Sequence, residues 1–549
     1  MPDQSPLLLC EPYLLDPRAG GVHVLWHTEH PGLRHVVLTG AAVAGMSEPE
    51  AVAAATGDAG AGPGWRRYEA VTTRLRRMRE DADSDVPGRA YQKLTERPVH
   101  RHLARVTGLR PGRTPYRVVS VESAERVAVS PAYTLAPAAP SDRGVRLLLT
   151  SDHQLSPLTP ANIEAVAEVA GCELDGVLAA GDLVNHADRA SDWFDSGGGR
   201  AFFAVMAGRG RHTIAGRTYR GAPLLPHTPL FPAIGNHEVM GRWSTTASLD
   251  EQFHDAVPLS VADDGWDVTT YEQLFPYPRS DQGGSRWWAR RIGDVHVTAL
   301  FVTNVWRPAD GRGRGRFQEA AEDLAHPDRW GHGQHIFEPV RYGSRQYAWL
   351  AATLDSPEAR DARYRVVMFH HAGHGLGAHT SPPYTDPVRT VQRDPATGAV
   401  TGVAYHYPKG QDHILRDLEP LFSRAGVHLV LSGHSHLWNR FRNAAGVHWL
   451  ETSNVGNSFG AYHPASGRVR PVPDHPDYAA QGDPGGLTPI VPTVAPLRDE
   501  AGRPLPYLAS NDITAFSILD SAAGVVRSYR FDTREPQAGP VLFDEFALA

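Results

Sequence analysis

The sequence predicts a chain in two parts, a β-sandwich over residues 1–140 and an α/β domain with a parallel sheet over residues 145–533. Three observations lead there. The chain has 549 residues, more than one ordinary core organises. Before the linker at Ala136–Gly144, short segments rich in Val, Leu and aromatics alternate with turn residues. After it, the pattern becomes strand, helix, strand.

The elements follow in order. GGVHVLWHTE, RHVVLTG, HRHLARVTGL, TPYRVVSVES and ERVAVSPAYTL read as the strands of the sandwich. In GLRPGRTPYRV, residues Leu109, Pro111 and Tyr116 resemble the tyrosine corner of fibronectin-type sandwiches. The stretch Ser47–Asp85 interrupts this pattern, and within it RRYEAVTTRLRRMRE predicts an exposed helix. APAAPSDRG, Ala136 to Gly144, is a Pro-stiffened linker with nothing to build a core. VRLLLT is then a buried strand, TPANIEAVAEVAG an amphipathic helix capped by Thr159, and LDGVLAAGD a second strand. The same grammar recurs in HVTALFVTN, SRQYAWLAATLD, YRVVMFHH and DLEPLFSRAGVHLVLSGH. Ala461–Asn511, rich in Pro, Gly and Asp, reads as a long irregular surface loop. ITAFSILD and GVVRSYRFD read as a closing hairpin on a sheet edge.

Composition excludes several classes of function. The 54 basic and 61 acidic residues are interspersed, with no Lys/Arg block, so no nucleic-acid-binding patch is expected. Two distant cysteines, Cys10 and Cys172, make neither a disulfide framework nor a thiolate metal cluster. The apolar run Leu7–Cys10 is too short for a signal core and lacks a basic flank. No stretch approaches the ~18 apolar residues of a membrane segment. The expectation is a soluble, cytoplasmic protein.

The chemistry gathers where the apolar strands end. Their ends carry Asp152, Asp182, Asn236 with His237, His370 with His371, and His434 with His436. In open α/β sheets, ligands bind at the carboxyl ends of strands, so distant segments deliver Asp, Asn and His to one edge. Carboxylate, amide oxygen and imidazole without thiolate suit Mn, Fe and Zn. Two such ions can clamp the attacking and leaving oxygens of a displacement at phosphorus, and Asp182 at a Gly-Asp turn suits the bridging carboxylate. Side chains alternate along an extended strand, so Asp152 and Gln154 are expected on one side and His153 on the other. By the same rule, His434 and His436 project together. Each motif is weak alone, and their order along the chain carries the weight.

Asp152-His153-Gln154, Gly181-Asp182, Gly235-Asn236-His237-Glu238, His370 and Gly433-His434-Ser435-His436 resemble the signature of calcineurin-like metallophosphoesterases. SRQYAWLAATL resembles that family's Gln-x-x-Trp-Leu helix. The sandwich followed by the catalytic part resembles the layout of purple acid phosphatases. The resemblance implies a four-layer αββα fold and two divalent metal ions, Mn, Fe or Zn. It implies one ion held by Asp152, Gln154, Asp182 and His436, and the other by Asp182, Asn236, His370 and His434. His237 is implied as the proton donor to the leaving oxygen, and His371 as pointing away or orienting a ligand. The purple enzymes carry Gly and Tyr where this chain has Gln154 and Asn185, so a coloured ferric tyrosinate is not expected. The neutral Gln154 favours Mn or Fe(II) over Zn. His186 and Arg242 lie near these turns as candidate substrate contacts.

The function expected is hydrolysis of a small-molecule phosphate mono- or diester, by in-line attack of a metal-bridging hydroxide. The rival is a non-catalytic scaffold of the same fold, against which stands the retention of every ligand type and of His237.

Overall fold

A computed structural model of the chain describes residues 8–239, 267–306, 313–331, 333–377 and 383–548. The first part supplies β1 (Tyr13–Arg18), β2 (Gly21–Thr28), β3 (Arg34–Thr39), β4 (Trp65–Arg74), β5 (His100–Thr107) and β6 (Thr114–Val121). One helix, α1 (Glu48–Thr56), lies between β3 and β4. Ser47 and Glu50 close a reciprocal capping box at its start. β4 is shared: Arg66–Glu69 pair with β3 and Ala70–Arg74 with β5. This corrects the helix expected over RRYEAVTTRLRRMRE. Tyr68, Val71, Thr72 and Thr73 favour extended backbone, and two waiting neighbours outweigh the Arg and Glu of the segment. Leu14, Val24, Trp26, Val37, Ala104 and Val118 from five of these strands share one buried cluster.

The later part supplies β7 (Arg146–Thr150), α2 (Thr159–Ala170), β8 (Gly176–Ala179), β9 (Leu230–Pro232), β10 (Trp288–Ile292), β11 (Val295–Ala299) and α3 (Arg345–Leu354). It continues with β12 (Tyr364–His371), β13 (Leu429–Gly433), β14 (Trp438–Arg442), β15 (His448–Thr452), β16 (Ile513–Asp520), β17 (Val525–Asp532) and β18 (Val541–Ala547). Two large sheets result. The first runs β6-β3-β4-β5-β2-β1-β9-β8-β7-β16-β17-β18, with β9, β8 and β7 parallel. The second contains β10-β11-β12-β13-β15-β14, with β11 to β15 along that order parallel. A cluster of Leu147, Leu149, Leu178, Val297, Val366, Met368, Leu429 and Leu431 lies between the two sheets. On β7 the intervening Leu148 turns the other way, into the cluster with Ile163 and Val166 of α2. The expected closing hairpin is β16–β17, paired to β7 through β16.

Three local expectations are corrected. The hydroxyl of Tyr116 donates to the Pro226 carbonyl 2.8 Å away, so it joins the first strands to the later part and makes no corner with its own turn. Helix α2 is flanked at its start by Leu158, and Thr159 Oγ1 donates instead to the His153 carbonyl at 3.0 Å. The stretch 461–511 is irregular but not confined to the surface: buried Arg470 donates to the carbonyls of Gly375, Gly377, Ala479 and Gly482. Among the described residues, no helix is long and apolar enough to cross a membrane.

Candidate metal centre

Five parallel strands end around one point. β7, β8 and β9 of the first sheet lead to Asp152, Asp182 and Asn236, and β12 and β13 of the second lead to His370, His434 and His436. The backbone there leaves the extended form. Of eight non-glycine residues with positive φ among the described residues, five are Asp152, Gln154, Asp182, His434 and His436. Such conformations cost of order 1–3 kcal/mol each and gather where a site demands them. The alternation argument therefore fails, since β7 stops at Thr150 and Gln154 has φ 42°. Glycines make the close approach possible. Gly181 has φ 95°, and a Cβ there would stand 2.9 Å from His370 Nδ1. A Cβ on Gly433 would run into Ser151 and the Asp152 carboxylate.

Three donors converge on His370. Its Nε2 lies 3.1 Å from Asp182 Oδ2, 3.1 Å from Asn236 Oδ1 and 3.0 Å from His434 Nδ1. Its Nδ1 donates to the Ala180 carbonyl at 2.8 Å, which leaves Nε2 as the lone pair facing the centre. One nitrogen cannot bond three partners, whereas metal–ligand bonds near 2.0–2.2 Å set neighbouring donors about 3.0–3.5 Å apart. The donor spacing fits a divalent ion.

A second group adjoins it. His436 Nε2 lies 3.3 Å from Asp152 Oδ1, with its Nδ1 donating to the Asn457 carbonyl at 2.9 Å. Asp152 accepts the His434 amide at 2.9 Å. Gln154 Nε2 lies 3.2 Å from Asp182 Oδ2, and its Oε1 accepts from Asn457 Nδ2 at 3.1 Å. Gln154 thus reaches Asp182 with its amide nitrogen, and oxygen ligation requires the amide to turn over. Asn457 Oδ1, buried with no hydrogen-bond partner, can then receive the Gln154 NH₂ if it turns as well. His153 bonds Thr150 Oγ1 at 2.9 Å and packs on Phe202, away from Asp182.

The electrostatics favour a cation. Burial works against charge on His370, yet Asp182 beside it lifts the imidazole to about 10. His436 is likewise lifted against burial by Asp152. Asp182 is held low despite burial, chiefly by His370. Asp152, Asp182 and His370 offer ligand atoms within 4.8 Å of one another, and so do His370, His371 and His434. The His371 ring lies on His434 with centroids 3.7 Å apart, and its Nδ1 meets Thr303 Oγ1 at 3.1 Å.

His237 stands at the rim, its side chain 35% exposed. Its Nδ1 donates to the Asn185 carbonyl at 2.7 Å, and its Nε2 lies 3.9 Å from Asp182 Oδ2. With Gln154 and His436 it faces a cleft of about 550 Å³. His186 is instead turned to Asp192 at 3.3 Å and Arg189 at 3.0 Å. Arg242 lies outside the described residues.

Two buried glutamates brace the centre, and the sequence reading assigned them no part. Glu238 accepts the amides of Asp182, Leu183 and Gly235 at 2.7, 2.7 and 2.8 Å, tying the loops of Asp182 and Asn236 together. Burial and Asp182 push its carboxyl up, while those three donors oppose the shift. Glu451 accepts the Ser435 amide at 2.7 Å and Asn439 Nδ2 at 3.1 Å, and burial pushes it up to about 8. The signal for Glu451 was a charged residue inside an apolar strand, HWLET; for Asn457 there was none.

A family model described as calcineurin-like phosphoesterase matches residues 145–437, a span that holds all eight predicted site residues. The chain belongs to the calcineurin-like phosphoesterase family. No curated protein matches this calcineurin-like phosphoesterase. Among solved structures, a purple acid phosphatase isolated from yellow lupin (Lupinus luteus) seeds is 13% identical, covering 97% of this chain and 73% of its own, with a TM-score of 0.54. A structure of PhoD is 12% identical over 99% of this chain and 93% of its own, at a TM-score of 0.43. A dimetal phosphatase from Danio rerio is 12% identical over 57% of this chain and 88% of its own, at 0.28. At such identities, the likeness to the lupin protein is one of fold.

Proposed function

We propose that this calcineurin-like phosphoesterase hydrolyses a small-molecule phosphate mono- or diester with two divalent ions, Mn, Fe or Zn. Asp152, Gln154, Asp182 and His436 would hold one ion, and Asp182, Asn236, His370 and His434 the other. The observation that carries the reading is the convergence of Asp182, Asn236 and His434 on His370 Nε2 within 3.1 Å. When bound, such ions supply activated water and neutralise charge on the phosphoryl oxygens.

The chain's residues do the rest. Asp182 sits between the two donor groups, where its carboxylate would serve both. As imidazolium, His237 gives its Nε2 proton to the leaving oxygen, and the Asn185 carbonyl keeps Nδ1–H in place before and after transfer. Glu238 and Glu451 hold the ligand loops at fixed spacing, so little reorganisation accompanies reaction. We also propose that residues 1–140 form a β-sandwich joined by its edge to the catalytic unit of residues 145–533. The first strands have a cluster of their own, which supports that division, and Tyr13, Leu15, Leu25 and Leu103 share another with the catalytic part.

A chelator should abolish hydrolysis of an aryl phosphate or diester, and Mn, Fe(II) or Zn should restore it. Should the metal-loaded protein turn over nothing in a broad phosphoester panel, the scaffold reading takes its place.

A further inference from the structure

Beyond the metal centre, the cleft continues to a wall formed by Asp85, Ser196, Gly198 and Arg200. Two arginines line it, and they differ. Arg189 is engaged, with Nη2 held by both oxygens of Asp81 at 2.9 and 2.8 Å. The Nε of each is buried without a hydrogen-bond partner, but among the described residues no carboxylate bonds the half-buried Arg200 guanidinium. The charge it faces is Asp85, and neither Asp152 nor Asp182 is among its charged neighbours.

A guanidinium that no carboxylate bonds can take a planar anion with two parallel hydrogen bonds from its terminal nitrogens. At about 550 Å³, the cleft also exceeds what one phosphate group fills. We propose that Arg200 recognises a second anionic group, a carboxylate or another phosphate, carried on the leaving-group side of the phosphoester. This rests on the phosphoesterase reading above and narrows its substrate class. The scissile phosphate belongs with the metal ligands, and Arg200 is set apart from their carboxylates. Arg200 therefore acts on selection among substrates, through KM, and not on the bond-breaking step.

The test compares phenyl phosphate with 3-carboxyphenyl phosphate on the metal-loaded full chain. Wild type should favour the carboxylated substrate. In Arg200→Gln, the ratio of kcat/KM for the carboxylated over the plain substrate should fall about 10- to 100-fold, mainly through KM, with metal content retained. Arg200→Lys should recover part of the ratio. A parallel fall on both substrates would place Arg200 on the scissile phosphate or in the fold, and an unmoved ratio would leave it no role; either overturns the proposal. Calorimetric binding of phenylphosphonate and 3-carboxyphenylphosphonate reads the same ratio without turnover. If wild type cleaves neither ester but binds the carboxylated phosphonate more tightly through Arg200, the hydrolase reading fails and the anion site stands. Equal binding of the two phosphonates overturns the anion site.

Discussion

At the scale of single residues, orientation decides function more than identity does. His237 is fixed at Nδ1 by the Asn185 carbonyl and half-open to the cleft at Nε2. Replacing it with Ala should spare metal content and slow turnover by roughly 100- to 10,000-fold. The loss should shrink for leaving groups that need no proton, and equal losses on good and poor leaving groups would refute an acid role. Gln154 and His153 make a second test. Gln154→Ala should lower metal affinity, while His153→Ala, which loses a bond to Thr150 and packing on Phe202, should alter it little. Asn457 Nδ2 donates to Gln154 Oε1, while its carbonyl, which alanine keeps, holds the His436 ring, so Asn457→Ala should weaken metal binding through Gln154 alone. Metal analysis of the three variants separates these cases. The residues converging on the centre were legible because their types and order are strong signals. Their geometry was not, because positive φ at Asp152, Gln154, His434 and His436 breaks the strand periodicity on which a sequence reading depends.

At the scale of elements, loops carry the candidate ligands and buried groups hold the loops. Gly433→Ala should empty the site, because the added methyl meets Ser151 and the Asp152 carboxylate, although the glycine binds nothing. The irregular stretch 461–511 is docked by Arg470 and by Asp483, whose Oδ2 lies 2.7 Å from His374 Nδ1. His374 Nε2 faces Glu419 Oε2 at 3.6 Å. Burial lowers His374, but Asp483 and Glu419 lift it to about 9. A folded value above the unfolded one near 6.5 stabilises the fold fully below about pH 6.5, and that contribution is lost as pH rises through about 9. It is on the order of 3 kcal/mol. Denaturation of wild type and His374→Gln at pH 6 and pH 10 should show a gap between them that closes at the higher pH. A pH-independent gap would mean that His374 acts by packing alone. This docking was invisible in a stretch that reads only as Pro, Gly and Asp. Likewise, the strand β4 was hidden under Arg and Glu because its partners, β3 and β5, come from both sides of it in sequence.

At the scale of the molecule, the first strands and the catalytic sheet are hydrogen-bonded into one 15-stranded sheet through the parallel contact of Leu15 with Leu230. Arg97 bonds both Glu80 and Asp195, and Glu80 accepts the Ser191 amide. The early segment thereby reaches the loops beside His237 and contributes Asp83 and Asp85 to the cleft. The order of strand and helix along the chain made the α/β fold legible. The junction was not, because its strand pairing, its ion pairs and the packing of Tyr13 on Phe203 and Phe275 join segments far apart in sequence and leave no periodic trace. The central claim is that both donor groups hold ions and that Asp182 serves both. The most direct measurement is the metal content of wild type and Asp182→Asn after equilibrium dialysis against Mn²⁺, read beside phosphoester turnover of the same samples. The account predicts two ions per chain and turnover in wild type, with both lost in Asp182→Asn. A variant that keeps two ions and full turnover, or a wild type that binds none, would contradict it.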